Sequence, residues 1–92
     1  MDNMLLGKVV GTVWATRKDT KLDGLKLLLV QHIELDYSLK KSYVVAADTV
    51  GAGVGEVVML TTGSSARQSK MTEGKPVDAV VSGIIDKMDV TE

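Results

Sequence analysis

Asp48-Thr49-Val50-Gly51-Ala52-Gly53-Val54-Gly55-Glu56-Val57-Val58-Met59-Leu60-Thr61-Thr62-Gly63-Ser64-Ser65-Ala66-Arg67 is the stretch on which the reading of this chain turns. It joins a glycine-dense loop (Gly51, Gly53, Gly55) to a strand-like run over Glu56 to Thr62 and a small polar turn over Gly63 to Arg67. Glycine at every second position removes the Cβ where a backbone turns sharply or approaches another closely. A phosphate-binding loop is the first chemistry to test against this pattern. A Walker loop carries a Lys-Ser/Thr pair after its last glycine, and none follows Gly55. A dinucleotide loop opens a helix, whereas Val57 to Thr62 is β-branched and apolar, the signature of a strand. The loop therefore reads as a strand connection.

The strand class extends outward from there. The chain has 92 residues, near the lower size at which one core suffices, so 1–92 is read as a single domain. It is 45% apolar, yet it has no Phe, one Trp and two Tyr, so its apolar mass is Val, Leu, Ile, Ala and Met. Such β-branched content suits a pleated surface. Cysteine is absent, which removes disulfides and thiolate metal sites. Eleven basic residues stand against twelve acidic ones, so no global field attracts nucleic acid or an anionic membrane. Met1-Asp2-Asn3 lacks the basic region of a secretory signal, and no apolar run has the length of a membrane span. A soluble cytoplasmic protein is the class that fits.

Five strands are expected. Met4 to Thr16 alternates with period two, its odd positions (Leu5, Gly7, Val9, Gly11, Val13, Ala15) small and apolar. After a polar loop over Arg17 to Gly24, with Asp23-Gly24 as its turn, Leu25 to Ile33 is a continuous apolar run. Glu34 to Ser42 has no clear period and is read as a loop. Tyr43 to Asp48 and Glu56 to Thr62 are the third and fourth strands, and Val80 to Val90 the fifth. Ser65 and Gln68 have capping-box spacing for one helical turn. Gln68 to Lys75 reads as polar and mobile, and Pro76 suits the first position of a short turn over Val77 to Ala79. These elements predict an all-β chain, a small five-stranded OB-like barrel with one or two short helical turns.

Several strands carry two apolar faces where a barrel lining needs one. Val57 and Met59 oppose Val58 and Leu60; Leu27 and Leu29 oppose Leu28 and Val30; Val81 and Ile85 oppose Val80, Ile84 and Met88. No long helix is present to cover the outer set, and contiguous exposed apolar patches mark partner surfaces. The pattern predicts an oligomer or an obligate partner.

Catalytic constellations are wanting. His32 is the single histidine, with no thiol to activate and no second imidazole to share a metal, so it reads as structural. Asp86 and Asp89 are three apart and point to opposite faces of a strand. Ser64 and Ser65 lack a recognisable base. Arg67 has the donor fork to bridge subunits, or to sit solvated at the surface. A nucleic-acid-binding barrel, the main alternative, wants stacking rings and a basic groove; Trp14, Tyr37 and Tyr43 are scattered in a near-neutral chain. No enzyme activity, cofactor or metal is expected.

Four blocks in order resemble the EutN/CcmL family of bacterial microcompartment vertex proteins: Leu6 to Thr16, Leu22 to Gln31, Asp48 to Arg67, and Pro76 to Asp86. Within the third, Gly-Ala-Gly-Val-Gly-Glu and Gly-Ser-Ser-Ala-Arg are the most recognisable stretches, while Glu34 to Ser42 and Gln68 to Lys75 match poorly. The resemblance implies a ring, a homopentamer plugging the fivefold corners of a polyhedral protein shell in the bacterial cytoplasm, flanked by hexagonal shell proteins. It implies neither nucleic-acid nor membrane partners. It places Val50, Gly51, Ala52, Gly53 and Val54 around a narrow axial pore. It assigns Asp48, Gly55, Glu56, Gly63, Ser64, Ser65 and Arg67 to assembly.

Overall fold

The computed structural model describes residues 3–14, 19–68, 71–74 and 77–91. Its strands are β1 (Met4–Val13), β2 (Leu27–Ile33), β3 (Leu39–Asp48), β4 (Val57–Thr62) and β5 (Ala79–Ile84), with 3-10 turns at Thr20–Leu22 and Gly63–Arg67. The strands close into a barrel in the order β1-β2-β3-β5-β4. All neighbours are antiparallel except β3 and β5, which pair in parallel through Ala47 with Val80 and Asp48 with Val81. This is the all-β, OB-like barrel that the alternation predicts.

The barrel is lined by Val9, Leu28, Val30, Ala46, Ala52, Val58, Leu60, Ala79 and Val81. Fully burying a Val or Leu side chain contributes about 1.5–3 kcal/mol. With no Phe to fill the centre, small branched side chains must interdigitate closely. Gly7 shows how closely. A Cβ built there would collide with Val30 Cγ1 and approach the Gln31 carbonyl oxygen at 3.1 Å. The missing side chain of β1 is the space that Val30 of β2 occupies.

The face assignment along β1 holds for only half its length. Gly7 and Val9 pair with His32 and Val30, but the register slips between Val9 and Gly11, and beyond it Thr12 pairs with Leu28. A one-residue bulge exchanges inner and outer faces. Gly11 and Val13, expected beside Val9, lie instead opposite Leu29 and Leu27. Ala15 and Thr16, the expected end of this strand, lie outside the described residues.

Other boundaries also differ from expectation. β2 starts at Leu27 rather than Leu25, and β4 at Val57 rather than Glu56. β3 starts at Leu39 rather than Tyr43, so the expected loop over 34–42 is half strand. Residues 39–43 are exposed and pair only with β2, so neither face shows an apolar period. At the hairpin tip, Asp36 Oδ1 accepts from the Ser38 N–H at 3.0 Å and its hydroxyl at 2.6 Å. Those bonds hold the Asp36 carboxyl below its ordinary range, the side-chain bond contributing most. β5 ends at Ile84, not Val90: one further bond, Ile85 N–H to the Val57 carbonyl, marks the end of β4 as a template. Asp86, Lys87 and Asp89 are exposed there.

The second helical turn spans Gly63–Arg67 rather than starting from a Ser65 cap. Thr62, extended at φ −124 and ψ 169, precedes it without a side-chain capping bond, and Ser65 lies within the turn. The helical turn expected over Val77 to Ala79 is not formed: Val77 and Asp78 are non-helical and Ala79 opens β5, while Pro76 lies outside the described residues. Within the segment expected to be polar and mobile, residues 71–74 form a turn and Thr72 is fully buried.

Part of the surplus apolar surface is covered within the chain. Leu25, Ala47, Ala66, Val77 and Val80 form a second cluster, with Leu22 and Leu27 packed against it. Ala47 and Val80 belong to the barrel's outer face, and the 3-10 turn carrying Ala66 closes over them. The remainder is uncovered. Met4, Tyr43 and Val45 are exposed, and Leu6, Leu29, Val57 and Met59 are half-buried.

Candidate functional site

The glycine loop is held shut by its own carboxylates. Asp48, at the end of β3, is 6% exposed. Its Oδ1 accepts from the Val50 and Gly51 N–H groups at 3.0 and 3.1 Å. Glu56 Oε1 accepts from the Gly53 N–H at 2.6 Å, and the Glu56 N–H donates to the Gly53 carbonyl. Gly55 N–H donates to the Val9 carbonyl at 2.8 Å and Val9 N–H to the Glu56 carbonyl at 3.0 Å, binding the loop to β1. Thr49 donates through Oγ1 to the Val81 carbonyl at 2.8 Å, binding it to β5. Donors that a phosphate would need are thus already engaged, which is the physical reason this loop is not an anion cradle.

Positive φ is required at Gly51 (77°) and Gly55 (94°). Gly53 has an ordinary φ, and a Cβ there would meet only Glu56 Oε1, at 3.4 Å. Within the expected pore segment the residues divide. Ala52 is 1% exposed and belongs to the barrel core. Val50 and Val54 point outward, at 40% and 66% exposure. Any axial lining by this segment falls to Val50, Gly51 and Val54, with Gly53 half-buried behind them.

The polar turn is anchored separately. Gly63, at φ 73°, donates its N–H to the Asp78 carbonyl at 2.8 Å. Arg67 Nη1 donates to the Val77 carbonyl at 2.8 Å, so this guanidinium buttresses the entry to β5 within its own chain. Ala66 is buried, Ser65 half-buried and Ser64 exposed. A shallow cleft lined by Asn3, Met4, Thr61 and Ser65 adjoins the turn. The fold does not gather the expected assembly residues into one place. Asp48 ends β3, paired with Val81 of β5; Gly55 and Glu56 lie at the start of β4, and Gly63, Ser64, Ser65 and Arg67 at its end. Six residues separate the groups, roughly 20 Å of strand.

The remaining chemistry-bearing side chains serve structure. His32 Nδ1 lies 2.8 Å from Ser42 Oγ, a bond across the β2–β3 hairpin. Among the described residues, no group of three His, Asp or Glu is arranged to hold a metal. Sequence reasoning missed the hairpin arm over 34–42, whose Leu35, Tyr37 and Leu39 are all exposed. Its one legible signal was the Asp36-Tyr37-Ser38 turn chemistry.

Comparison with known proteins agrees with this architecture. The family model described as ethanolamine utilisation protein EutN/carboxysome matches residues 4–86. The carboxysome shell vertex protein CcmL of a Nostoc species is 48% identical over 90 residues, 97% of this chain and 89% of that protein. Its structure superposes with a TM-score of 0.91, covering 94% of this chain and 91% of that one. The microcompartment shell vertex protein GrpN of Rhodospirillum rubrum is 46% identical over 86 residues, 94% of this chain and 97% of that protein. Its structure, described as a pentameric microcompartment shell protein, superposes with a TM-score of 0.87 over 95% and 99% of the two chains. An ethanolamine utilization protein EutN is 40% identical with a TM-score of 0.85, over 94% and 90%. Match length, identity and barrel together place this chain in the EutN/CcmL family of microcompartment shell vertex proteins.

Proposed function

We propose that this chain, as one domain over 1–92, is a structural shell protein that forms homopentamers and caps the fivefold vertices of a bacterial microcompartment in the cytoplasm. The observation that carries the reading is the skin of the barrel. A closed barrel with a sealed core has no structural need for Met4, Leu6, Leu29, Val45, Val57 and Met59 on its outer face, yet all lie there half-buried or exposed. A ring that repeats one heterologous contact covers such residues on two sides of every protomer. The number five comes from GrpN, whose structure is pentameric.

Two finer parts belong to this reading. Hexagonal shell proteins surround the vertex, since a flat facet of sixfold tiles leaves fivefold gaps at its corners. The Val50–Val54 segment surrounds a narrow axial pore, with Val50 and Val54 facing it. The role is structural, and nucleic acid is not a partner: Trp14 follows β1, Tyr37 lies in the β2–β3 turn and Tyr43 is on β3, so they form no single stacking platform.

Co-expression with a hexagonal shell protein tests the vertex role. Electron microscopy of particles made with this chain should show closed, faceted shells, and particles made without it should be open at the corners. Identical particles in both preparations would contradict the assignment.

A further inference from the structure

The barrel is closed, but not along the whole of β3. The Asp48 N–H donates to the Lys26 carbonyl, which places the main-chain groups of Asp48 on the β2 side. The alternate residues Ala47, Val45 and Tyr43 therefore direct theirs to the opposite side. There Ala47 is met by β5, whose pairing with β3 comprises Ala47 and Asp48 alone. Val45 and Tyr43 thus present an open β-edge among the described residues, beside exposed side chains (47% and 57%) and the exposed Lys40 and Lys41. Uncovered edges of this kind are templates for another strand.

At the other end of β5 lies a segment with the complementary defect. Residues 86–91 run on after β5 with no strand partner among the described residues. The segment carries Asp86 and Asp89, with Met88 and Val90 as its apolar residues; Val90 is 53% exposed. We infer that residues 86–90 of one protomer add as a strand to the open edge of β3, around Tyr43 and Val45, in the next protomer of the ring. This rests on the ring reading above.

Charge and placement choose a second copy as the occupant. Asp86 and Asp89 face a lysine pair, Lys40 and Lys41, across the docked strand. Competing pairs within the chain, Lys40 with Glu34 at 3.7 Å and Lys87 with Asp89 at 3.5 Å, are solvent-exposed and contribute little. Donor segment and acceptor edge lie beyond opposite ends of β5, six residues long. A chain whose donor and acceptor are distinct and separated makes the head-to-tail contact from which a ring closes.

The absence of cysteine gives the test a clean background. Val45→Cys is combined in turn with Met88→Cys, Asp89→Cys and Val90→Cys, spanning the register. Each variant is oxidised, resolved on a denaturing gel, and mapped by peptide mass spectrometry. The inference expects a covalent ladder up to the full ring in at least one pair, joined by bonds between position 45 and the segment; single variants stop at dimers. Native mass spectrometry separates the two claims. A pentamer without a ladder in any pair overturns this inference and leaves the ring standing, whereas a monomer overturns the ring itself. A charge exchange gives a second reading free of oxidation. Asp86→Lys with Asp89→Lys should raise the concentration at which the ring dissociates by roughly tenfold, and adding Lys40→Glu with Lys41→Glu should restore it. Dissociation unchanged by the first pair, or not restored by the second, contradicts the charge pairing.

Discussion

Val58 and Met59 are consecutive residues of β4, similar in apolar character, and the fold treats them oppositely. Val58 is wholly buried in the barrel with Leu60, while Met59 faces out beside Leu6 of β1. The same contrast separates Leu28 from Leu29 and Ala46 from Val45. Hydropathy therefore does not divide core from surface here. Closure of the barrel divides them, and the outer set is left for contacts between chains. Over Ala47 and Val80 the chain covers its own outer face, with Ala66, Val77 and Leu25.

The largest expected effect tests the inner half of that contrast. Leu60→Ala leaves a cavity among tightly fitted Val and Leu side chains and should cost about 2–5 kcal/mol in urea unfolding. Met59→Ala should cost at most about 1 kcal/mol in the barrel itself. Its larger consequence is dissociation of the assembly at a higher protein concentration, because it weakens contacts between copies. Equal costs, independent of concentration, would erase the distinction between the two faces.

Next in size is the buried carboxylate that shapes the glycine loop. Asp48→Ala removes the acceptor for two N–H groups and should cost about 1.5–3 kcal/mol, as for hydrogen bonds to a charged group. Asp48→Asn keeps an acceptor oxygen and should cost less. The glycines themselves sharpen the comparison within one loop. Gly55, at φ 94°, should lose about 1–2 kcal/mol as Gly55→Ala, the cost of a left-handed backbone with a Cβ. Gly53→Ala should be nearly neutral, since only the end of the Glu56 side chain is close. Thermal unfolding of the two variants side by side decides this, and a larger loss at position 53 would mean that crowding between copies outweighs backbone conformation.

The smallest effect is at the hairpin tip, remote from both faces. Asp36 is held ionised by Ser38, so its carboxyl titrates below its unfolded value. A lowered folded value stabilises the turn above the unfolded value, and the contribution is lost as pH falls through the folded one. Acidification should therefore shift the Ser38 amide resonance, and Asp36→Asn should abolish most of that shift while leaving assembly at neutral pH unchanged.

What was legible in the sequence follows from the same contrast. The first strand announced itself by alternation and the others as apolar, β-branched runs between polar or glycine-rich segments, and five such runs sufficed for the barrel class. Residues 39–42 did not, because a solvent-exposed hairpin arm has no apolar period to read. The bulge at Val10 was invisible for a related reason: Gly7, Val9, Gly11 and Val13 are all small, so a face exchange leaves composition unchanged. At the candidate site, the loop and the turn were legible as motifs. Their separation by the length of β4, the burial of Ala52 and the intrachain bond of Arg67 depend on three-dimensional closure. Glycine spacing pointed to three equivalent positions, and only the backbone dihedrals single out Gly51 and Gly55.

Native mass spectrometry of the purified chain at micromolar concentration tests the central claim most directly. The uncovered outer face and the pentameric relative together predict a closed homo-oligomer with five copies dominant. A hexamer would keep the ring and contradict the vertex, since a sixfold ring does not fit a fivefold corner. A stable, soluble monomer would contradict both.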